Sequence, residues 1–192
     1  MNYIEDQHFT DIEMRDASLD DQRYIDCTFE NCKFENIELN STVLLNCTFK
    51  KCTIINPTSN FGEVNNASFE NCNLIGVSWG MFTGPSKHRR VLNTITNTFM
   101  KYNSFINLSL KKQHFMTNSF QASSFELCEL TEASFKGCSL DATTFTNCDL
   151  KKADFRDARA YIVDISSNQL KGSKFSFPEA LTLLEQTGII ID

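Results

Sequence analysis

Large apolar residues recur at every fifth position of this chain, and no other feature restricts its fold as strongly. One run covers residues 4–79, with Ser59 as its one polar member; a second run, shifted by one residue, covers 95–175 and is less strict at Ala160 and Ile165. Thirteen of the 17 Phe lie at these central positions. A period of five fits neither a helix nor a flat strand, so it predicts a chain that turns a corner every five residues.

Two further positions repeat with the central one. The residue two before the centre is often small, and the residue two after it is often Asn or Asp, which hydrogen-bond local backbone in turns. All eight cysteines occupy the small position. Because Cys is compact and readily buried, we expect free, buried thiols. Zinc ligation would instead need thiolates that converge with tetrahedral geometry. In pairs such as Cys32 and Cys52, the two Cα atoms would lie within the distance range of a disulfide. Their Cβ vectors would run parallel, however, which favours free thiols over a disulfide bond.

The repeating units resemble those of the pentapeptide-repeat family. Examples are Cys-Thr-Phe-Glu-Asn at 27–31 and Ala-Asp-Phe-Arg-Asp at 153–157, and the resemblance covers residues 4–175. It implies an all-β solenoid, a right-handed quadrilateral β-helix with four pentapeptides in each coil. Residues 20 apart would then stack, and residue type does repeat at that spacing. The predicted columns are Phe9, Phe29, Phe49 and Phe69; Leu110, Leu130, Leu150 and Leu170; and Phe115, Phe135, Phe155 and Phe175.

The period is interrupted at residues 80–94. The position of the shift between 80 and 100 stays open, because Phe99 would continue the first run. We expect no inward column residue with a clear repeat identity from 83–92, and residues 87–90 would form a basic tip in solvent. A tolerated surface loop and a partner-contacting loop both fit, since insertions in solenoids often project from a binding face. The candidate partner-binding loop is Thr83, Gly84, Pro85, Ser86, Lys87, His88, Arg89 and Arg90.

The period ends after residue 175, which predicts a β-helix at 1–176 and a C-terminal helix and tail at 177–192. Pro178 and Gly188 are typical of the first turn of a helix and of the residue that follows it. One apolar face of this helix would cap the last coil, as terminal units of solenoids must. That face would consist of Phe177, Ala180, Leu181 and Leu184. An uncovered apolar end is an association site. The predicted dimer interface is Phe177, Leu181, Leu184, Ile189, Ile190 and Ile191.

The tail Leu-Leu-Glu-Gln-Thr-Gly-Ile-Ile-Ile at 183–191 is similar to the end of the Qnr-type quinolone-resistance proteins and of the microcin B immunity protein. Resemblance to this group implies a homodimer joined through the C-terminal ends. It also implies a partner, DNA gyrase or topoisomerase IV, which a rod with the size and charge of duplex DNA would bind. Some members carry loops that touch the enzyme, and 80–94 lies roughly where one is expected.

Charge is unevenly distributed along the chain, with net charges of −8 over residues 1–40, +6 over 41–125 and −4 over 126–192. If two C-terminal ends meet, the acids of the last third would flank the dimer centre and stand in for phosphates. The positive middle favours the alternative, a cytoplasmic interaction scaffold or regulator with a different partner. Both functions stay open. The candidate DNA-mimicking acids are Glu126, Glu129, Asp141, Asp149, Asp154, Asp157 and Asp164.

The sequence does not favour an enzyme. His8, His88 and His114 are far apart in the chain, and neither a Gly-rich phosphate loop nor a nucleophile elbow is present. We therefore predict no catalytic residue, no metal site and no cofactor. No apolar run reaches the ~18 residues of a membrane helix, and the first residues lack the pattern of a secretory signal. The net charge of −6 argues against direct binding to nucleic acid. We expect a cytoplasmic protein without membrane contact.

Overall fold

A computed structural model of the chain describes residues 2–83, 90–185 and 188–189. Almost all of its regular structure is short β-strands, joined by a 3-10 helix at Trp79–Phe82 and followed by helix α1 at Leu181–Glu185. The strands are β1 (Asn2–Glu5), β2 (His8–Thr10), β3 (Glu13–Arg15), β4 (Gln22–Ile25), β5 (Thr28–Glu30), β6 (Lys33–Glu35), β7 (Val43–Leu45), β8 (Thr48–Lys50), β9 (Thr53–Ile55), β10 (Glu63–Asn65), β11 (Ala67–Glu70), β12 (Asn73–Ile75), β13 (Leu92–Thr96), β14 (Phe99–Lys101), β15 (Ser104–Ile106), β16 (Ser119–Gln121), β17 (Ser124–Glu126), β18 (Ser139–Thr146), β19 (Asp154–Phe155), β20 (Arg159–Val163) and β21 (Lys174–Phe175).

The strands stack in parallel as a right-handed quadrilateral β-helix, which confirms the predicted fold class. The first side holds β1, β4, β7 and β10, the second β2, β5, β8, β11 and β13, and the third β3, β6, β9, β12, β14 and β16. Strands β15 and β17 lie on the fourth side, and β18 bends from the third side to the fourth. Most paired residues are separated by the four pentapeptides of one coil, as Phe9 and Phe29 are.

Nearly every corner has a residue with positive φ, two positions after the central one. Asp11, Asn31 and Asn71 have φ values of 55°, 55° and 54°. Asn and Asp tolerate this left-handed conformation better than other residues that carry a Cβ. The predicted turn-forming position is therefore confirmed, and its recurrence explains why the chain changes direction every five residues.

The predicted columns of identical side chains are also confirmed, and two of them are parts of one column. Phe9, Phe29, Phe49 and Phe69 stack with ring centroids 4.9–5.0 Å apart. Ile95 pairs with Phe69 and continues the column. Phe115, Phe135, Phe155 and Phe175 follow on the same side with centroids 4.8–5.1 Å apart.

The phase shift lies where the chain crosses from the first side to the second. Ala67 pairs with Leu92 and Phe69 with Ile95, whereas the regular coil would bring positions 87 and 89 to these partners. Five extra residues therefore precede Leu92, and a sixth forms a bulge between Leu92 and Ile95. Residues 83–92, from which we expected no inward column residue with a clear repeat identity, do supply core side chains, because Val91 and Leu92 are buried and Leu92 pairs with Ala67. Both lie beside Ala67, whose N–H donates to the Val91 carbonyl at 3.0 Å.

The last complete coil departs from the predicted phase. Phe145 pairs with Val163 in place of Ile165, because the chain skips two residues after Arg159. The prediction that Ala160 and Ile165 occupy central positions is therefore wrong, since Val163 and Tyr161 are the buried residues there. A turn at 164–168 restores the spacing, so that Asp149 again pairs with Gln169.

The C-terminal helix is shorter than the sequence suggests and packs with a different face. The pattern predicted one face shared by Phe177, Leu181 and Leu184, but Phe177 is 80% exposed and Leu184 45% exposed. Leu183 packs against the core instead. Gly188 has a φ of 78°, as the residue expected to stop the helix.

The interruption separates two regions with different cores, which we name the first region (2–83) and the second region (90–175). In the second region Phe105, Phe125 and Phe145 form another column beside Phe115, Phe135 and Phe155, and all six side chains are fully buried. The first region has one Phe column, and its first coil is only half-buried at Phe9 and Leu19.

Candidate partner-binding surfaces

The small inward position carries a hydrogen-bond donor as well as a compact side chain. Sγ of Cys52 donates to the Phe29 carbonyl of the preceding coil at 3.3 Å, and Cys138 donates to that of Phe115 at 2.8 Å. All eight cysteines are free and buried, as predicted. Burial raises the pKa of the Cys47 and Cys138 thiols to about 12, so both are protonated at neutral pH and stabilise the rod.

Buried amides share this role with the cysteines in the second region, and the period did not single them out. Nδ2 of Asn118 donates to the Ile95 carbonyl at 2.8 Å while Oδ1 accepts from the Thr98 N–H. Asn168 makes the same pair of contacts with Phe145 and Cys148. The available signal was their position, two residues before a central one, where an amide must be buried and therefore hydrogen-bonded.

The corner residues of the first region form ladders along the outside of the rod. Nδ2 of Asn46 donates to Asp26, and Nδ2 of Asn66 donates to Asn46, each at 2.9 Å. Asn36 donates to Asp16 in the same way. Each ladder runs from Asp at the N-terminal end to Asn in later coils. The carboxylates therefore lie around the N-terminal end of the rod, a negative surface that the candidate acids did not include.

The first side of the second region carries alternating charges. Nζ of Lys111 lies 3.1 Å from a Glu129 oxygen, and Nζ of Lys151 lies 3.3 Å from an Asp149 oxygen. Glu132 lies between Lys112 and Lys152, at 3.8 Å and 3.7 Å. Glu129 and Asp149 are adjacent in one bridge, so two candidate acids are brought together, beside lysines.

Three further candidate acids lie near the C-terminal end and make local contacts. Arg156 forms a bidentate pair with Asp154 at 2.9 and 2.6 Å, and the guanidinium lowers the pKa of that carboxyl. The backbone N–H of Asp157 donates to the hydroxyl of Ser176. Hydrogen bonds from Ser166 and Ser167 lower the pKa of Asp164 to about 2.

The remaining candidate acids, Glu126 and Asp141, lie on other sides of the rod. Glu126 ends β17 on the fourth side, and Asp141 lies in the part of β18 that belongs to the third side. The seven candidate acids therefore surround the second region and do not form one patch. Any charge recognition there would involve the whole circumference of the rod.

The candidate loop is described only at its two ends. Thr83 forms an antiparallel bridge with Glu63. Nη2 of Arg90 donates to the Asn93 carbonyl at 3.1 Å and to Oε1 of Gln113 at 3.4 Å, so this arginine is tied to the rod. Gly84, Pro85, Ser86, Lys87, His88 and Arg89 lie outside the described residues.

The C-terminal end presents several apolar side chains to solvent. Phe177, Leu184 and Ile189 are all more than two fifths exposed, and Leu181 is half-buried. Ile190 and Ile191 lie outside the described residues. An apolar cluster at the end of a rod is suited to association with another apolar surface.

Within residues 2–83, 90–185 and 188–189, no group of three or more His, Cys, Asp or Glu side chains is placed to hold a metal ion. Over the same residues, no helix has the length and apolar content that crossing a membrane requires.

Comparison with known proteins agrees with this architecture. Residues 98–175 match the family described as pentapeptide repeat region. Two solved structures of trypsin-treated QnrB1, a plasmid-mediated fluoroquinolone resistance protein, are similar in fold. Both are 18% identical to this chain, with TM-scores of 0.59 and 0.57; the alignments cover 96% and 97% of this chain and 99% of each QnrB1 chain. No curated protein has a significantly similar sequence.

The five-residue period, the observed four-sided coil and the family match agree with one another. The family match falls within the second region, and the structural similarity extends over both regions. Residues 98–175 therefore match the pentapeptide-repeat family, and the fold of the chain as a whole is similar to that of QnrB1.

Proposed function

We propose that this protein is a cytoplasmic, non-enzymatic binding protein that occupies the DNA-binding surface of a type II topoisomerase. The partner would be DNA gyrase or topoisomerase IV, and the bound rod would protect the enzyme from quinolones or from a gyrase-poisoning toxin. The similarity in fold to QnrB1, over nearly the full length of both chains, is the observation that carries the proposal.

Two surfaces support this proposal. Carboxylates surround the N-terminal end, at Asp6, Asp11, Asp16 and Asp21, where they could take the place of phosphates. The exposed apolar end at Phe177, Leu184 and Ile189 would join two copies. A dimer joined in this way is a longer rod with a negative surface at each far end.

The test is a supercoiling assay with purified gyrase and topoisomerase IV, with and without a quinolone. Wild-type protein should restore supercoiling that the quinolone inhibits. Reversal of the loop charges in a Lys87→Glu, Arg89→Glu variant should weaken protection without changing thermal stability. Absence of protection by the folded wild-type protein would contradict the proposal.

Dimerisation is tested by light scattering on wild type and on a Phe177→Ser, Ile189→Ser variant. We expect a dimer for wild type and a monomer for the variant, with matching circular dichroism spectra. A variant that remains dimeric would show that the interface lies elsewhere.

A second function, an interaction scaffold for another partner, is favoured by the alternating charge of the second region. Lys111, Lys151 and Arg156 offset three of the candidate acids, whereas duplex DNA is uniformly negative. Affinity capture with wild-type protein and with the loop variant would distinguish the two functions. A partner other than a topoisomerase, bound by wild type and lost with the variant, would support the scaffold.

A further inference from the structure

The first region contains an apolar cavity of about 60 Å³ along the axis of the rod. Side chains from four successive coils line it, including Leu44, Val64 and Val77, and only apolar atoms face it. A water-sized molecule needs roughly 10–15 Å³ by this measure. The cavity therefore has room for an atom as large as xenon or for a molecule of a few heavy atoms.

The cavity results from a serine at a central position of the first run, where the other central residues are apolar. Ser59 donates its hydroxyl to the Leu39 carbonyl at 2.9 Å and accepts from the N–H of Gly62. It therefore supplies no large side chain to the axis between Leu39 and Trp79. The equivalent level of the second region is filled by Phe125, which stacks on Phe105 at 4.4 Å.

The chemistry of the lining selects the ligand. A water molecule in a protein interior needs two to four polar partners, and this lining offers none. A ligand with a hydroxyl or an amide would lose its hydrogen bonds to water without replacement. We propose that the axial cavity is a binding site for small apolar molecules that carry no hydrogen-bonding group.

The site adjoins the segment that leads into the candidate loop. Trp79 and Phe82 line the cavity and belong to the 3-10 helix immediately before Thr83. Nε1 of Trp79 donates to Asn103 at 3.1 Å, so the indole also connects the two regions. A ligand that binds only the folded rod stabilises it by mass action. A ligand in the cavity would therefore stabilise the junction between the two regions, and this effect does not depend on the partner that the protein binds.

The chain has one Trp, and it lies at the site, so binding can be read directly. Xenon is the probe, applied under pressure to the full-length protein, with Trp79 fluorescence and Tm as readouts. We expect quenching that saturates with xenon pressure and a Tm that rises with it. Quenching that stays proportional to pressure, with no change of Tm, would overturn the proposal.

Two variants separate the cavity from nonspecific effects. Val64→Leu fills part of the cavity and should remove the saturable quenching and the xenon-dependent rise in Tm. Val43→Leu makes the same exchange at an outward position of β7 and should leave both unchanged. If Val64→Leu does not fold, Val77→Ile serves the same purpose. Saturable quenching that survives in the folded cavity variant would place the bound xenon elsewhere and overturn the assignment.

Discussion

The first and second regions use the same coil with different interiors. Both pair central residues of successive coils and have corners with positive φ. The second region fills its axis with two columns of phenyl rings, whereas the first has one Phe column and an apolar cavity. On two sides of the second region a backbone hydrogen bond also closes the corner, as from Ala133 to Leu130 at 3.0 Å. The period therefore sets the path of the backbone, and the side chains at each level set how tightly the rod is packed.

Removal of a stacked ring should give the largest difference in stability loss between the two regions. Phe125→Ala should lower the free energy of unfolding by about 3–5 kcal/mol, because the side chain is fully buried between Phe105 and Phe145. Phe9→Ala is the matched variant in the half-buried first coil, with Phe29 as its one stacked neighbour; it should lose roughly 1–2 kcal/mol. Urea unfolding measures both, and equal losses would contradict the difference in packing.

Removal of an inward-facing hydrogen-bond donor should also cost more stability in the second region than in the first. Asn118→Ala leaves the Ile95 carbonyl and the Thr98 N–H without their buried partner, which should cost about 2–3 kcal/mol. Cys47→Ala removes only a weak S–H donor to Tyr24 at 3.6 Å, and we expect about 1 kcal/mol. The same urea series provides the measurement. A larger loss for Cys47→Ala would show that the thiols act mainly through packing.

A larger buried side chain should stabilise the first region and destabilise the second. Val64→Leu extends into the cavity and should stabilise the protein by about 1 kcal/mol. Val163→Leu adds the same methylene to a fully buried position in β20 and should destabilise it by about 1 kcal/mol. Thermal melts of the two variants measure the difference. Destabilisation by both would show that the cavity cannot accept a larger side chain.

Thiol labelling in native protein should proceed from the half-buried end. Cys27 and Cys32 lie in the second coil and hydrogen-bond to carbonyls of the first, so opening of that coil exposes them. Cys138 lies deep in the second region, and its pKa of about 12 keeps it protonated. We expect Cys27 and Cys32 to react slowly with Ellman's reagent and Cys138 only after unfolding, as followed by mass spectrometry. Early reaction of Cys138 would contradict this order.

The smallest expected effect is a difference in acid sensitivity between two aspartates, Asp20 and Asp164. Hydrogen bonds lower the pKa of Asp20 and, to about 2, that of Asp164. A carboxyl with a lowered pKa in the folded state stabilises it above the usual pKa, and the stabilisation is lost as pH falls through the folded value. Asp20→Asn and Asp164→Asn should therefore lower Tm at pH 6. For Asp164 the gap to wild type should close only near pH 2. A gap that is constant with pH would contradict the assignment.

The repeat predicted the turn at every fifth residue, because five-residue spacing, the small inward position and the Asn or Asp corner are local features, and the family resemblance implied the four-sided coil. Phe29 and Asn31 have their roles in any coil of this kind. The predictions failed where neighbouring coils compete for the same space. Val163 displaces Ile165 because two residues are skipped after Arg159, and Leu183 packs where Leu184 was expected. Neither choice is visible in the period, since both residues of each pair are apolar.

Prediction of the candidate site was less complete for a related reason. Sequence identified the acids, such as Glu129 and Asp154, but not their partners, because ion pairs such as Lys111 with Glu129 join residues that only the coil makes neighbours. The buried amide of Asn118 was hidden among exposed Asn residues. Its role depends on its place two residues before a centre.

The sequence by itself determined that this chain turns a corner every five residues and which side chains face inward in the regular coils. These follow from steric rules that act within a few residues. Only the tertiary structure decided where six extra residues enter, how the axis is filled at each level and which charges pair along the rod. Those outcomes depend on contacts between residues that lie a whole coil apart in the chain, where small changes in spacing alter the neighbours of every side chain that follows.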